Sequence, residues 1–236
     1  MHELGTDHFL AFIKIEMPKG WKTYWKAPGD SGVPPVFDWS ASQNLAEANV
    51  LFPVPKRISD QGGEVIGYKD EVIFPVDVRV EDTAKAAELQ VAVQFGMCKD
   101  ICIPAEIKVS LDVPADGKGV ITTEQIAALD SVPRAAASAK PLDPVLKHTA
   151  IINGNGKPRL VVEAAFPESA DNADIFFVAP GGVYFPPARR VSASGDVVTF
   201  EADLSDGIDL EAMKGAEIAA TLASAKGHTE AKFKLE

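Results

Sequence analysis

An all-β protein made of two sandwich domains joined by a partly helical linker is predicted by three features of the 236-residue chain. Apolar residues recur at every second position through most of its length, the pattern of strands that bury one face. Composition changes at Pro114, and the stretch to Pro144 is rich in Ala, Pro, Asp and Gly. Beyond it the alternation returns in short runs divided by turn-forming clusters, a spacing that reads as an immunoglobulin-like sandwich without cysteines.

Taken in order, Phe9, Ala11, Ile13, Ile15 and Met17 give a first strand. Residues 18–62 hold all three tryptophans with many Pro and Gly and read as long loops with short strands. Gly67-Tyr68-Lys69-Asp70 reads as a turn into the strand Val72, Phe74, Val76, Val78 and Val80, in which Pro75 predicts an edge or a bulge. Leu89, Val91, Val93 and Phe95 alternate with polar or small residues, as do Ile107, Val109, Leu111 and Val113. In the linker, Thr122 as N-cap with Gln125 three residues on marks a short helix. Further strands are expected at Leu160–Phe166, Asp174–Val178, Val198–Leu204, Ile218–Leu222 and Ala231–Leu235, set apart by turns such as Asn153-Gly154-Asn155-Gly156 and Ser194-Gly195-Asp196. The expected domains are therefore residues 1–115 and 146–236, with a linker over 116–145.

Composition narrows the function. Hydrophobic residues at 46% and charged residues at 24% match an ordinary globular protein. The net charge of −11 repels phosphate backbones and anionic lipid surfaces, so nucleic acid is not an expected partner. No apolar run approaches the ~20 residues that span a bilayer, so direct membrane insertion is not expected, and Met1–Gly5 lacks the features of a signal peptide. There is no phosphate-cradling glycine loop, no nucleophile elbow and no cluster of catalytic carboxylates.

What remains is chemically specific. The chain holds two cysteines, Cys98 and Cys102, with three residues between them. The spacing is not one that zinc uses, and His2, His8, His148 and His228 are scattered, so no metal or organic cofactor is expected. Cys98 closes one strand and Cys102 opens the next, so Lys99-Asp100-Ile101 becomes a hairpin connection and the thiols face each other ~4.5–5.5 Å apart at Cα, close enough to bond. A permanent staple is one reading, but closing so short a loop stabilises by only ~2 kcal/mol against ~4.7 kcal/mol for a loop of about 100 residues. Reversible exchange at a loop tip is the stronger reading. Soft-metal (copper) binding by Met97, Cys98 and Cys102 is the alternative.

Three stretches in order resemble a known family: Gly20-Trp21-Lys22-Thr23-Tyr24-Trp25-Lys26-Ala27-Pro28-Gly29-Asp30-Ser31-Gly32-Val33-Pro34-Pro35, then Ile66-Gly67-Tyr68-Lys69-Asp70, then Cys98-Lys99-Asp100-Ile101-Cys102-Ile103-Pro104-Ala105-Glu106. Together they look like the periplasmic N-terminal domain of the thiol:disulfide interchange protein DsbD and its copper-tolerance-associated relative ScsB, over roughly residues 8–113. The resemblance implies an immunoglobulin-like scaffold in the periplasm of a Gram-negative bacterium, as part of an inner-membrane system. It implies as partners a thioredoxin-like periplasmic domain, a transmembrane electron-transfer domain and oxidised periplasmic client proteins. Cys98 and Cys102 match the catalytic pair, Cys102 forming the mixed disulfide and Cys98 resolving it. The cysteine spacing is tighter than in DsbD, and Ser59–Glu64 stands where that family carries an aromatic cap. Trp21, Trp25 and Trp39 read as packing anchors, with Tyr24 or Trp25 a candidate to border the cysteines.

Overall fold

The computed structural model describes residues 7–29, 32–60, 63–115, 119–154, 156–168 and 170–236. The chain divides between Asp130 and Ser131 into two compact units. Met1–Gly5 and the linker residues 116–118 lie outside the described residues, as do His2, Gln61, Gly62 and Asn155.

In the first unit the strands are β1 (His8–Glu16), β2 (Lys22–Tyr24), β3 (Val36–Asp38), β4 (Leu45–Val50), β5 (Lys56–Asp60), β6 (Gly63–Lys69), β7 (Glu71–Val80), β8 (Ala87–Cys98) and β9 (Cys102–Val113), followed by helix α1 (Thr123–Asp130). One sheet has the order β1-β7-β4; the other runs β3-β8-β2-β6-β5, with β9 paired to β8. Every second residue of β7 and β8 turns into the core, so Phe74, Val76, Val78, Leu89, Val91, Val93 and Phe95 are buried. Phe74 meets Phe37, Phe52 and Tyr68 edge-on, at centroid distances of 5.5, 5.2 and 5.5 Å. The sandwich expected from the alternation is present.

Two local expectations are corrected. Pro75 lies in the central strand of its sheet, not at an edge or a bulge. It is tolerated because β4 ends at Val50, opposite Val76: in the pair that follows, Leu51 still donates its N–H to the Pro75 carbonyl (2.8 Å), and the proline removes only the return bond at the end of the ladder. Gly67, Tyr68 and Lys69 are not a turn but the end of β6. The reversal falls on Asp70 alone, at φ 68°.

The stretch expected as a linker is shared between the units. Thr122 and Gln125 form a reciprocal capping box, Thr122 N–H to Gln125 Oε1 at 2.9 Å and Gln125 N–H to Thr122 Oγ1 at 3.2 Å. The helix they start packs against β7, and its Glu124 lies 3.5 Å from Lys14 of β1.

The second unit contains β10 (Arg134–Ala135), β11 (Val145–Gly154), β12 (Lys157–Ala165), β13 (Asp174–Val178), β14 (Arg189–Ser194), β15 (Val197–Asp203), β16 (Glu217–Ala223) and β17 (His228–Lys234). Its sheets are β11-β12-β15-β14 and β10-β17-β16-β13. Between them lie Leu160, Val162, Phe166, Ile175, Phe200, Ile218 and Leu222, all buried. Asp143, 1% exposed, accepts two hydrogen bonds of 2.7 Å from the Arg134 guanidinium and one from the Lys140 N–H. That bidentate pair fixes the segment leading into β11.

Candidate functional site

The two cysteines occupy the last rung of the β8–β9 hairpin. The register is unbroken from Ala87–Val113 to Cys98–Cys102, and the terminal pair is disulfide-bonded with Cα atoms 4.1 Å apart. Lys99, Asp100 and Ile101 form the connection, closed by the Lys99 N–H donating to the Ile101 carbonyl at 3.0 Å. The side chain of Lys99 lies along Gly20, whose φ of 86° places it in a tight turn; a Cβ there would be 3.5 Å from the Lys99 Cε. That turn is clamped by Asp70, which takes the Gly20 N–H on its carboxylate and the Met17 N–H (2.7 Å) on its carbonyl.

The two sulfurs have unequal surroundings. Cys98 is 1% exposed and packs with Tyr24 and Val65, whereas Cys102, at the start of the edge strand, is exposed. The Tyr24 hydroxyl donates to the Cys98 Sγ at 2.8 Å and lies 3.5 Å from the Cys102 Sγ. Lys22 stands opposite Cys98 in the β2–β8 register and is itself buried. The hydroxyl donor on the inner sulfur is placed to stabilise the thiolate released when the bond opens.

Glycines make room for the tyrosine. A Cβ at Gly96 would lie 3.1 Å from the Tyr24 ring, and one at Gly32 would lie 2.7 Å from it. The Thr23 Oγ1 donates to the Gly96 carbonyl at 2.9 Å, tying β2 to β8 next to the disulfide. Gly67 permits the same close approach on the other side, since its Cβ would fall 2.0 Å from the Thr23 carbonyl oxygen. A lone glycine inside a strand signals this kind of backbone approach, so Gly67 and Gly96 carried a hint in the sequence. Lys22 and Thr23 carried none.

Of the residues singled out by sequence, Cys98, Cys102 and Tyr24 come together. Trp25 is 1% exposed and packs as an anchor, its ring 5.3 Å from the Lys26 Nζ. Met97 follows the strand alternation onto the opposite face of β8 from Cys98, so the three sulfurs do not converge on one point. Among the described residues no group of three or more His, Cys, Asp or Glu side chains could hold a metal ion, and no helix is long and apolar enough to cross a membrane. Gln61 and Gly62, in the stretch aligned with the aromatic cap, are outside the described residues.

Comparison with known proteins agrees with this geometry. Residues 3–114 match the family described as thiol:disulfide interchange protein DsbD, N-terminal. No curated protein matches the sequence. Among 15 solved chains of similar structure is the N-terminal periplasmic domain of ScsB from Proteus mirabilis, with a TM-score of 0.71 and 19% identity, covering 98% of this chain and 89% of that one. At that identity the likeness establishes the shared fold, including the second unit that the family match leaves out. Residues 3–114 are thus similar to the N-terminal domain of the DsbD family of thiol:disulfide interchange proteins, and with the Cys98–Cys102 disulfide this likeness supports a thiol:disulfide exchange module in the first unit.

Proposed function

We propose that Cys98 and Cys102 are the catalytic pair of a periplasmic protein-disulfide reductase, relaying electrons from a membrane-linked thioredoxin-like donor to oxidised periplasmic client proteins. The unequal exposure of the two sulfurs carries this reading. Thiol–disulfide exchange requires an incoming thiolate to approach one sulfur in line with the bond to the other, and here only the Cys102 Sγ is reachable from solvent. The buried Cys98 is then the leaving group, and Tyr24 donates a hydrogen bond to it as charge develops.

In the forward direction the reduced pair meets a client disulfide. The Cys102 thiolate attacks one client sulfur, a mixed disulfide forms, and the other client sulfur leaves as a thiolate. The Cys98 thiolate then attacks the Cys102 Sγ, the mixed disulfide breaks, and the second client thiolate departs. Two electrons pass to the client, whose thiolates take up two protons, and the Cys98–Cys102 bond is restored. The dithiol of a thioredoxin-like donor regenerates the reduced pair by the same route through Cys102. The −11 charge and the lack of a nucleotide-binding motif accord with protein thiols as the substrates.

The test is trapping. Mixed with a thioredoxin-like domain that retains one active cysteine, the Cys98→Ser variant should accumulate an intermolecular disulfide visible on a non-reducing gel, and Cys102→Ser should not. Equal trapping by both variants would remove the assignment of roles.

A further inference from the structure

The strand that begins at Cys102 has an open edge. Among the described residues β9 is paired with β8 alone, over twelve unbroken register partners. Which β9 groups face outward follows from β8. Its even-numbered residues spend their backbone groups on the side away from β9: the Gly96 carbonyl accepts from Thr23, while the Gln90 N–H and carbonyl both bond the Ser42 hydroxyl, at 2.9 and 3.0 Å. Partners in an antiparallel ladder share that orientation, so Glu106, Lys108, Ser110 and Asp112 turn their N–H and C=O groups to solvent. Pro104 falls in the same class and pairs with Gly96, so its missing donor breaks no bond to β8 and only closes the outer edge near the disulfide.

The side chains add a second feature. Ile103, Ile107, Val109 and Leu111 lie on the face that β8 buries, yet they are 39% to 53% exposed. An open ladder flanked by an apolar row is complementary to a β-strand whose own residues alternate. The edge is also continuous with the exchange site. Glu106 lies four residues from the exposed Cys102, about 14 Å along an extended chain.

We propose that the outer edge of β9 from Ala105 to Val113 is a strand-addition surface, on which a protein that exchanges with Cys102 lays an extended, alternately apolar segment next to its own cysteine. The proposal rests on the exchange reading above. It makes β9 a determinant of client choice, separate from the sulfur chemistry.

The test uses short synthetic peptides whose cysteine is disulfide-bonded to glutathione and adjoins an alternating Val/Thr run. Matched peptides carry one proline in the middle of that run, and the cysteine is placed at either end so that both strand directions are sampled. The reduced full chain converts each to peptide thiol and glutathione, becoming Cys98–Cys102 disulfide. For one direction the unbroken peptide should react about tenfold faster than its proline twin, the effect of one or two cross-strand pairs. Ser110→Pro removes an outward N–H and no bond to β8, and Val109→Lys places a charge in the exposed row. Both should bring the ratio to about one and leave the rate with oxidised glutathione unchanged. Equal rates on the two peptides in the wild type, or a preference that survives both variants, would overturn the proposal. A concentration-dependent dimer that Ser110→Pro abolishes would assign the edge to a second copy and overturn it as well. A wild-type chain inert toward oxidised glutathione and every peptide would instead sink the exchange reading, and this proposal with it.

Discussion

Replacing Tyr24 by Phe isolates the contribution of one hydroxyl. The ring keeps its place between Gly32 and Gly96, and only the donor 2.8 Å from the Cys98 Sγ disappears. A hydrogen bond to a charged group is worth about 1.5–3 kcal/mol, and each 1.36 kcal/mol of preference for the thiolate is one pKa unit. Sulfur in a disulfide is a weak acceptor and a thiolate a strong one, so the loss falls on the thiolate. The pKa of Cys98 should rise by about one to two units in the variant. Attack on Cys102 expels Cys98 as a thiolate, so reduction of the disulfide by a small thiol should slow by roughly tenfold at neutral pH. Stopped-flow reduction of the oxidised proteins gives the rate. The pH profile of Cys98 alkylation in a Cys102→Ser background gives the pKa. Unchanged values in both measurements, with thermal unfolding intact, would show that the tyrosine is only packing.

Other expectations concern the scaffold. Gly67→Ala places a methyl 2.0 Å from the Thr23 carbonyl oxygen; this should destabilise the first unit by about 3 kcal/mol in chemical denaturation, and a loss under about 1 kcal/mol would mean that β2 and β6 are not so closely opposed. Asp143→Asn leaves the Arg134 charge without its partner and should destabilise the second unit by about 3 kcal/mol. The Arg134 guanidinium also holds the Asp143 carboxyl below the usual carboxylate range. Its folded pKa is thus under the unfolded value of about 3.9, and its contribution is complete above about pH 5 and fades as pH falls through the folded pKa. Melting temperatures of wild type and Asp143→Asn should therefore converge on acidification, and a gap that stays constant to about pH 3 would contradict this.

What the sequence disclosed and what it hid follow a physical division. β7, β8 and most of the second unit bury one face, and their period-two signal survived in the residues themselves. β14, Arg189–Ser194, is exposed along its whole length and so has no apolar alternation to read. β6 carries its signal in Val65, Ile66 and Tyr68, buried on both faces, and a run this short with a glycine in it mimics a turn. The hairpin and its cysteines are local, four residues apart, and could be placed from spacing and turn chemistry. Tyr24 meets Cys98 across 74 residues of sequence, a contact set by the β2–β8 pairing that no local pattern encodes.

The position of the disulfide on the final rung also bounds how far folding can set its redox poise. Eleven of the twelve register partners hold β8 to β9 without it, so opening the bond does not unzip the hairpin. Chain entropy ties the pair to folding only through a loop of about five residues, about 2 kcal/mol at most. For a two-electron couple that corresponds to roughly 45 mV. Any larger displacement of the potential has to come from the immediate surroundings of the sulfurs, the Tyr24 hydroxyl among them. With the bond confined to one terminal rung, relatives could adjust the potential by changing a few side chains near that rung while leaving the sandwich alone.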